Sequence, residues 1–483
     1  MQRDFLNTID LHIPLIVDLD GTLSKTDTLY EGVISSLLKN PKKIGFLITA
    51  LFGGKSHFKQ ALTETGEQDA SSFCYRQDLI ALLQHEKNKG RSIFLVTASH
   101  QSIADAVQAY LGLFDGVKGS DEAINLKGEN KLAWLRENFP QGFIYAGDHK
   151  ADLPIWKSSQ AAVLVGSGTK FAKDINESGI PYCILSDEKT SYLKQWLRQL
   201  RIHQWAKNSL IFIPLFLAHT ASDLQSLLRT ICAFFAFSLI ASSTYIINDL
   251  ADLEADRRHK TKRFRPLAAG SISVLQGIIG GVLLFAIGAA ISLNLSVTLS
   301  GCIAIYTILT LAYSFKLKRI PMLDVAIIGA LFTLRIIMGS VLNHLPLSPW
   351  LNSFSALMFF SLALAKRHVE ILRTDPGMVG KIGGRGYHHQ DWPLTLSFGV
   401  ASSVCSIVIM LLFLTQEAMV SANYPSHTWL LVEPACVFLW ILRIWFLSHR
   451  KVLTDDPVIF AIKDKTSIVL GLLVVLGFVL ASY

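Results

Sequence analysis

Between residues 208 and 482 the chain repeats apolar runs of close to 20 residues. That is the length an α-helix needs to cross the hydrocarbon core of a bilayer. The runs predict an all-α polytopic membrane bundle of about nine transmembrane helices, near 209–219, 225–247, 273–293, 295–314, 322–342, 349–365, 393–415, 429–447 and 467–482. The first 195 residues read instead as a mixed soluble domain. The composition averages these two parts: 51% hydrophobic and 17% charged residues, with a mean hydropathy of +0.39, too apolar for an ordinary soluble protein. The polar stretch Ser186-Asp-Glu-Lys-Thr-Ser191 closes the soluble part, so two domains are expected, 1–195 and 196–483.

The formal net charge of +8 is carried largely by Lys and Arg flanking the apolar runs. The loops 248–272, 315–321, 366–392 and 448–466 each carry several, while Thr220–Asp223, Asn343–Ser348 and Gln416–Thr428 carry none. By the positive-inside rule this predicts an integral protein of a bacterial-type inner membrane, with the N-terminal domain cytosolic and the C-terminus outside. Topology accounts for the positive charge, no nucleic-acid-binding motif is present, and no nucleic-acid partner is expected. Six scattered cysteines without a C-x-x-C pair suggest neither zinc nor a disulfide framework. The start, Met-Gln-Arg-Asp-Phe-Leu, has no signal-peptide core.

In the N-terminal part, Ile13–Val17 fits a buried strand and leads into Asp18-Leu-Asp-Gly-Thr-Leu23. A second strand, Ile93–Val96, ends at Thr97. Lys131 stands at the start of a helix, and a third strand, Phe143–Ala146, ends in Gly147-Asp-His-Lys-Ala-Asp152. Strands at Ala162–Val165 and Tyr182–Leu185 alternate with helical stretches, the pattern of an α/β, Rossmann-like parallel sheet. Ligands bind such sheets beyond the carboxyl ends of the strands, where these polar residues fall.

The four elements together resemble the haloacid dehalogenase (HAD) superfamily, in its phosphoserine-phosphatase-like branch. The resemblance implies a phosphatase with Asp18 as the nucleophile and Asp20 as the general acid/base. Thr97 and Lys131 would hold the phosphoryl group, and Asp18, Asp20, Asp148 and Asp152 would form the Mg²⁺ site. A carboxylate attacks phosphate only when metal and cations neutralise its oxygens. The insertion from about 27 to 91 matches a small helical cap. Within it, Ile44–Phe52 is too short to span a membrane; it is either the cap's own core or a lipid-facing surface that admits a lipid-linked phosphate ester.

The segment Asn248–Gly270 reads N-D-L-A-D-L-E-A-D-R-R-H-K-T-K-R-F-R-P-L-A-A-G. If the preceding helix continues, Asp249, Asp252 and Asp256 share one face. Three carboxylates there repel one another unless a divalent cation shares them. Lys260, Lys262, Arg263 and Arg265 follow, and acid then base at a membrane surface suggests a site for Mg²⁺ and a polyphosphate. The motif N-D-x-x-D-x-x-x-D on a membrane bundle resembles the UbiA-type prenyltransferase superfamily, over roughly 200–480. That resemblance implies carboxylates holding Mg²⁺ on a diphosphate leaving group.

Four further stretches resemble the decaprenyl-phosphate phosphoribosyltransferase branch: Arg201-x-x-Gln-Trp-x-Lys-Asn208, Lys262-Arg-Phe-Arg-Pro266, Tyr313-Ser-Phe-Lys-Leu-Lys318 with Pro321 and Asp324, and Ala365-Lys-Arg-x-x-Glu370. This implies transfer of 5-phosphoribose from phosphoribosyl diphosphate to polyprenyl phosphate or another isoprenoid lipid, after which the HAD domain removes the 5-phosphate. Asn248 would assist the carboxylates, Lys262, Arg263 and Arg265 would clamp donor phosphates, and Lys316, Lys318 and Lys366 would meet the acceptor phosphate. Tyr313 would close the site. An alternative is an aromatic prenyltransferase carrying an unrelated HAD phosphatase. Such enzymes usually carry a second Asp-rich motif after the sixth span, where this chain has only separated Glu370, Asp375 and Asp391. A transporter or lipid-binding scaffold is the third reading, and it fits poorly with a polar cluster at the cytosolic face. Homo-oligomer formation stays open. Arg335, inside the fifth span, is either functional or a buried structural group.

Overall fold

A computed structural model of the protein describes residues 4–39, 69–121, 124–186, 191–374, 380, 382, 385–420, 424–453 and 456–482. The apolar stretch Ile44–Phe52 lies outside the described residues. Short aliphatic runs in the N-terminal part form six parallel strands: β1 (Leu15–Val17), β2 (Ile93–His100), β3 (Gly116–Ser120), β4 (Ile144–Gly147), β5 (Ala161–Val165) and β6 (Tyr182–Leu185). Their order is β3-β2-β1-β4-β5-β6. Both faces are covered, as a parallel sheet requires. Leu15 and Val17 point into one core with Leu95 and Ala146, and Ile16 points into the other with Tyr145, Leu164 and Trp156. The helices of this part are α1 (Thr28–Lys39), α2 (Gln77–Asn88), α3 (Gln101–Leu111), α4 (Glu129–Asn138), α5 (Leu153–Ser158), α6 (Ala172–Glu177) and α7 (Tyr192–Gln199).

Two features differ from the sequence expectation. β2 runs past Thr97 to His100, and its register on β3 shifts between Val96 and His100. Strand β3, Gly-Val-Lys-Gly-Ser, is not foreshadowed by any apolar run. It is an edge strand whose backbone is ordered by β2 rather than by its own propensity.

The helical part contains α8 (Ile213–Leu217), α9 (Leu224–Ala251), α10 (Leu253–Arg258), α11 (Val274–Leu295), α12 (Val297–Phe315), α13 (Leu323–Leu342), α14 (Pro349–Leu372), α15 (Trp392–Phe413), α16 (Val432–His449), α17 (Pro457–Lys463) and α18 (Lys465–Ala481). The sequence predicts nine spans. Among the described residues, six helices are long and apolar enough to cross a membrane, and α17 with α18, bent by 85°, makes a seventh if counted as one. The expected first span is instead a 3-10 helix, Ile202–Phe212, followed by the five residues of α8. The expected sixth lies in α14, which runs on through Lys366, Arg367 and His368. The chain is an integral membrane protein with a helical C-terminal part. By contacts it divides into two units, Met1–Leu200 with Ile246–Gly280, and Arg201–Tyr245 with Gly281–Tyr483.

The first unit contains a buried charge pair that ties its N-terminal segment to the sheet. Arg91 Nε donates to Glu86 Oε2 at 2.8 Å, and its other nitrogens reach the carbonyls of Leu6, Ile9, Asp10 and Ile13. Both side chains are fully buried. Removing one partner leaves the other charge uncompensated, a loss of about 3–5 kcal/mol. Arg91→Ala should therefore lower the melting transition of the N-terminal domain by several degrees, read by calorimetry or circular dichroism. A melt like the wild type's would mean that solvent already screens this pair.

Candidate active sites

The sheet reverses its winding between β1 and β4, and the crevice at such a point is where α/β sheets bind ligands. Asp18 directly follows β1, and its N–H extends the pairing to Ala146 O at 3.1 Å. Asp148 directly follows β4. Asp152 lies in the 3-10 turn after it, and its Oδ2 accepts the N–H groups of Asp148 and His149 at 3.2 and 3.0 Å. Single carboxylate oxygens of Asp18, Asp148 and Asp152 all lie within 4.8 Å of one another. Lys131 Nζ, on the first turn of α4, is 3.0 Å from Asp18 Oδ1 and 3.0 Å from the Tyr145 hydroxyl, which itself donates to Asp152 Oδ1 at 3.0 Å. Gly21 approaches so closely at φ 74° that a Cβ there would collide with the Asp148 carboxylate. Only glycine suits that position.

Asp20 does not join this trio. Its Oδ1 accepts the Thr28 N–H at 2.8 Å and its Oδ2 accepts the Ser99 hydroxyl at 2.5 Å. It does line the same cavity of about 500 Å³, together with Asp18, Lys131, Asp148 and Asp152. Thr97 is fully buried and its Oγ1 accepts the Ser99 N–H at 3.0 Å. Two contributors escaped the sequence reading. Tyr145 was hidden inside an apolar strand, and Ser99 sits two residues beyond the expected strand end.

Burial, then Asp18 and Asp152, push the Asp148 carboxyl up to about 7. Asp152 is raised as well, by burial and then by Asp18. Asp20 also rises to about 7, through burial and then Asp27. Carboxylates that would rather be protonated than share one cavity are an oxygen-donor set fitted to a hard divalent cation.

The second carboxylate group lies where α9 ends. The helix does not continue through the motif; it breaks at Asp252, which starts α10 with φ −94° and ψ 10°. Backbone bonds still bridge the break, Asp252 N–H to Asn248 O and Asp256 N–H to Asp252 O, at 2.9 and 2.8 Å. Asn248 Nδ2 donates to Asp252 Oδ2 at 3.3 Å. Arg265 Nη1 donates to both Asp249 Oδ1, at 3.0 Å, and Asp256 Oδ2, at 2.5 Å. A guanidinium nitrogen thus stands between the carboxylates where a cation fits. Lys262 Nζ is 3.8 Å from Asp256 Oδ1. Arg263 turns elsewhere, its guanidinium carbon 4.9 Å from the Phe264 ring centre.

The remaining predicted residues belong to the second unit. Lys366 Nζ lies 3.7 Å from Asp456 Oδ2, which also accepts Lys207 Nζ at 2.9 Å. The Tyr313 hydroxyl accepts Arg385 Nη1 at 3.1 Å. Arg385 and Arg367 both approach Asp324 Oδ2, at 3.4 and 3.0 Å, and Tyr387 donates to Asp324 Oδ1 at 2.6 Å. Lys316 and Lys318 flank or lie in the 3-10 turn Leu317–Arg319; Lys316 is exposed and Lys318 half-buried. Arg335 is buried with its guanidinium among the rings of Phe237, Tyr306 and Phe332, and its Nε donates to Asn208 Oδ1 at 3.1 Å. The sequence motifs contained Asp324 and Lys207, but nothing in the spacing announced Arg385, Tyr387 or the pairing with Asp456.

The charge arrangement behind β1 and β4 sets a pH dependence. Asp148 holds its proton more tightly folded, at about 7, than in an unfolded chain, near 4. The stability this contributes in acid is lost as pH rises through about 7. In EDTA the N-terminal transition should melt higher at pH 6 than at pH 8, and Mg²⁺ should raise it more at pH 8. An equal Mg²⁺ effect at both pH values would remove the cation from this cluster.

Comparison with known proteins gives the families of the two parts. The model of the UbiA prenyltransferase family matches residues 209–463, and that of the haloacid dehalogenase-like hydrolases matches 15–157. An uncharacterized protein, y4nM, of Sinorhizobium fredii is 51% identical over 476 residues, 99% of this chain and 92% of that one. Nodulation protein NoeC of Azorhizobium caulinodans is 32% identical over 285 residues, 59% of this chain and 92% of its own. Decaprenyl-phosphate phosphoribosyltransferase of Corynebacterium glutamicum is 36% identical over 180 residues, 36% of this chain and 54% of the relative. With the first match spanning more than half its length, the chain belongs to the UbiA prenyltransferase family of membrane-bound transferases and carries a haloacid dehalogenase-like hydrolase domain ahead of the transferase.

Proposed function

We propose that the membrane domain, from residue 196 on, transfers 5-phosphoribose from phosphoribosyl diphosphate to polyprenyl phosphate. The HAD domain, residues 1–195, then removes the 5-phosphate to leave polyprenyl-phosphoryl-ribose. The observation that carries the transfer reading is Arg265 held between Asp249 and Asp256 with Lys262 beside them. A donor with three phosphate groups needs cations as well as carboxylates at the same place. Identity with decaprenyl-phosphate phosphoribosyltransferases supports the choice of donor.

In the first step the bond from C1 of ribose to diphosphate breaks, and a phosphate oxygen of the lipid takes its place. That oxygen is already anionic, so no general base is needed. Asp249, Asp252 and Asp256 would hold Mg²⁺, with Asn248 steadying Asp252. Lys262 and Arg265 would bind donor phosphates, and Lys316, Lys318 and Lys366 the acceptor phosphate, with Tyr313 closing the site. Arg263 stacks on Phe264 and joins the clamp only by turning its side chain. When bound at either carboxylate group, Mg²⁺ supplies positive charge to phosphate oxygens.

In the second step Asp18 attacks the 5-phosphate and is phosphorylated, while Asp20 protonates the leaving ribose oxygen and then draws a proton from the hydrolytic water. Lys131 and Thr97 would hold the phosphoryl group, and Asp18, Asp148 and Asp152 would hold the metal ion. The domain and both sites lie on the cytosolic side in this reading, supported by the loop charges.

Membranes containing the protein, given labelled phosphoribosyl diphosphate and polyprenyl phosphate, should form a labelled lipid. Asp249→Asn should cut its formation by about 10²-fold or more. Asp18→Asn should leave transfer intact and let the 5-phosphorylated lipid accumulate. No labelled lipid, with prenylation of 4-hydroxybenzoate instead, would transfer the assignment to the aromatic prenyltransferases.

A further inference from the structure

Arg257 comes from α10, far along the chain from the phosphatase motifs, yet its side chain is built into that domain. Nη1 and Nη2 donate to Glu31 Oε2 and Oε1 at 2.8 and 2.6 Å, a two-pronged pair with both side chains under a tenth exposed. Nη2 also reaches Thr26 Oγ1 at 3.3 Å, Nη1 the carbonyl of Ser72 at 3.0 Å, and Nε the carbonyl of Ala268 at 3.1 Å. Every nitrogen of the guanidinium is therefore used, and its planar fork fixes the geometry of what it holds.

What it holds is the first turn of α1. Glu31 lies one turn from Thr28, whose N–H binds Asp20 Oδ1 and whose hydroxyl lies 2.8 Å from that of Ser99, the other donor to Asp20. Thr26, also gripped by Arg257, shares a 3.2 Å hydroxyl contact with Ser24 on the same connection. The rest of the loop comes to the same place. Gly270, at φ 70°, packs so closely that a Cβ would stand 2.9 Å from Lys25 Cβ. Ser273 lines the cavity that contains Asp18 and Asp20. Arg258 pairs with Asp69, and Ser35 donates to Glu254 at 3.1 Å.

We propose that Arg257 is a positioning residue of the phosphatase: by clamping Glu31 and Thr26 it sets the first turn of α1 and so the placement of the Asp20 carboxyl, which makes the transferase's loop a working part of the phosphatase site. The inference rests on the phosphatase reading above. It also gives a role to the buried arginine beside Asp256, whose guanidinium is turned to Glu31 rather than to the carboxylates of the Asp-rich motif.

The test uses the full-length protein in detergent micelles with Mg²⁺ and p-nitrophenyl phosphate as substrate. Arg257→Ala should lower kcat by about tenfold or more while KM changes less than about twofold, because the general acid is misplaced rather than substrate binding lost. Arg257→Lys should recover part of the loss. Arg257→Glu combined with Glu31→Arg should exceed either single variant, as a restored pair does. The thermal transition reports the folded fraction, and a wild-type kcat per folded Arg257→Ala molecule overturns the proposal. If that result comes with hydrolysis abolished by Asp18→Asn, the phosphatase reading stands and only the positioning role falls. Hydrolysis that survives Asp18→Asn overturns both.

Discussion

Carboxylates crowded together with too little positive charge are the constraint on which the N-terminal domain depends. Two unit charges 4 Å apart repel by about 4 kcal/mol at an effective dielectric near 20. Asp18, Asp148 and Asp152 bear this burden in a buried crevice, and Lys131 offsets part of it. The arrangement persists because rigid neighbours over-determine it. β1 and β4 are buried on both faces, the Asp148 and His149 amides fix Asp152, and Thr22 and Ser167 hydroxyls hold Asp148. Preorganised negative charge of this kind suits a divalent cation.

The Asp-rich loop meets the same electrostatic problem differently. There the chain supplies its own cation, Arg265, and burial still holds Asp256 above the usual carboxylate range. The Arg265 side chain is about a quarter exposed, so it can leave these carboxylates without first leaving a buried pocket. One short helix, α10, therefore carries two kinds of arginine contact. Arg257 is sealed against Glu31 and suited to structure, whereas the partner of Asp256 is open and suited to exchange.

Much of this was legible because the informative signals are local. β1 and β4 are apolar runs that stop at aspartates, and the crevice follows from parallel winding. Membrane helices are legible from length and hydropathy alone, although the stretch read as the first span winds as a 3-10 helix and a short α8 instead. The less legible features depend on distant partners. β3 has little propensity of its own and exists by pairing with β2. Asp20 sits two residues from Asp18 in sequence, yet Thr28 and Ser99 draw its carboxyl away from the trio of Asp18, Asp148 and Asp152. The helix carrying the Asp-rich motif stops short at Asp252, so its three aspartates do not share one straight face.

The sequence by itself determined the two-part architecture and the membrane setting, since apolar runs and strand patterns are encoded locally. Only the tertiary structure decided which groups touch. It placed Tyr145 between Lys131 and Asp152, brought Lys207 and Lys366 to Asp456, and put Arg257 on Glu31. The physical reason is that a charged side chain buried away from water must find partners wherever the fold brings them. For the stretch Asn248–Gly270, the carboxylates could be read from one local motif, but its partners Glu31, Asp69 and Ser35 lie roughly two hundred residues away in sequence.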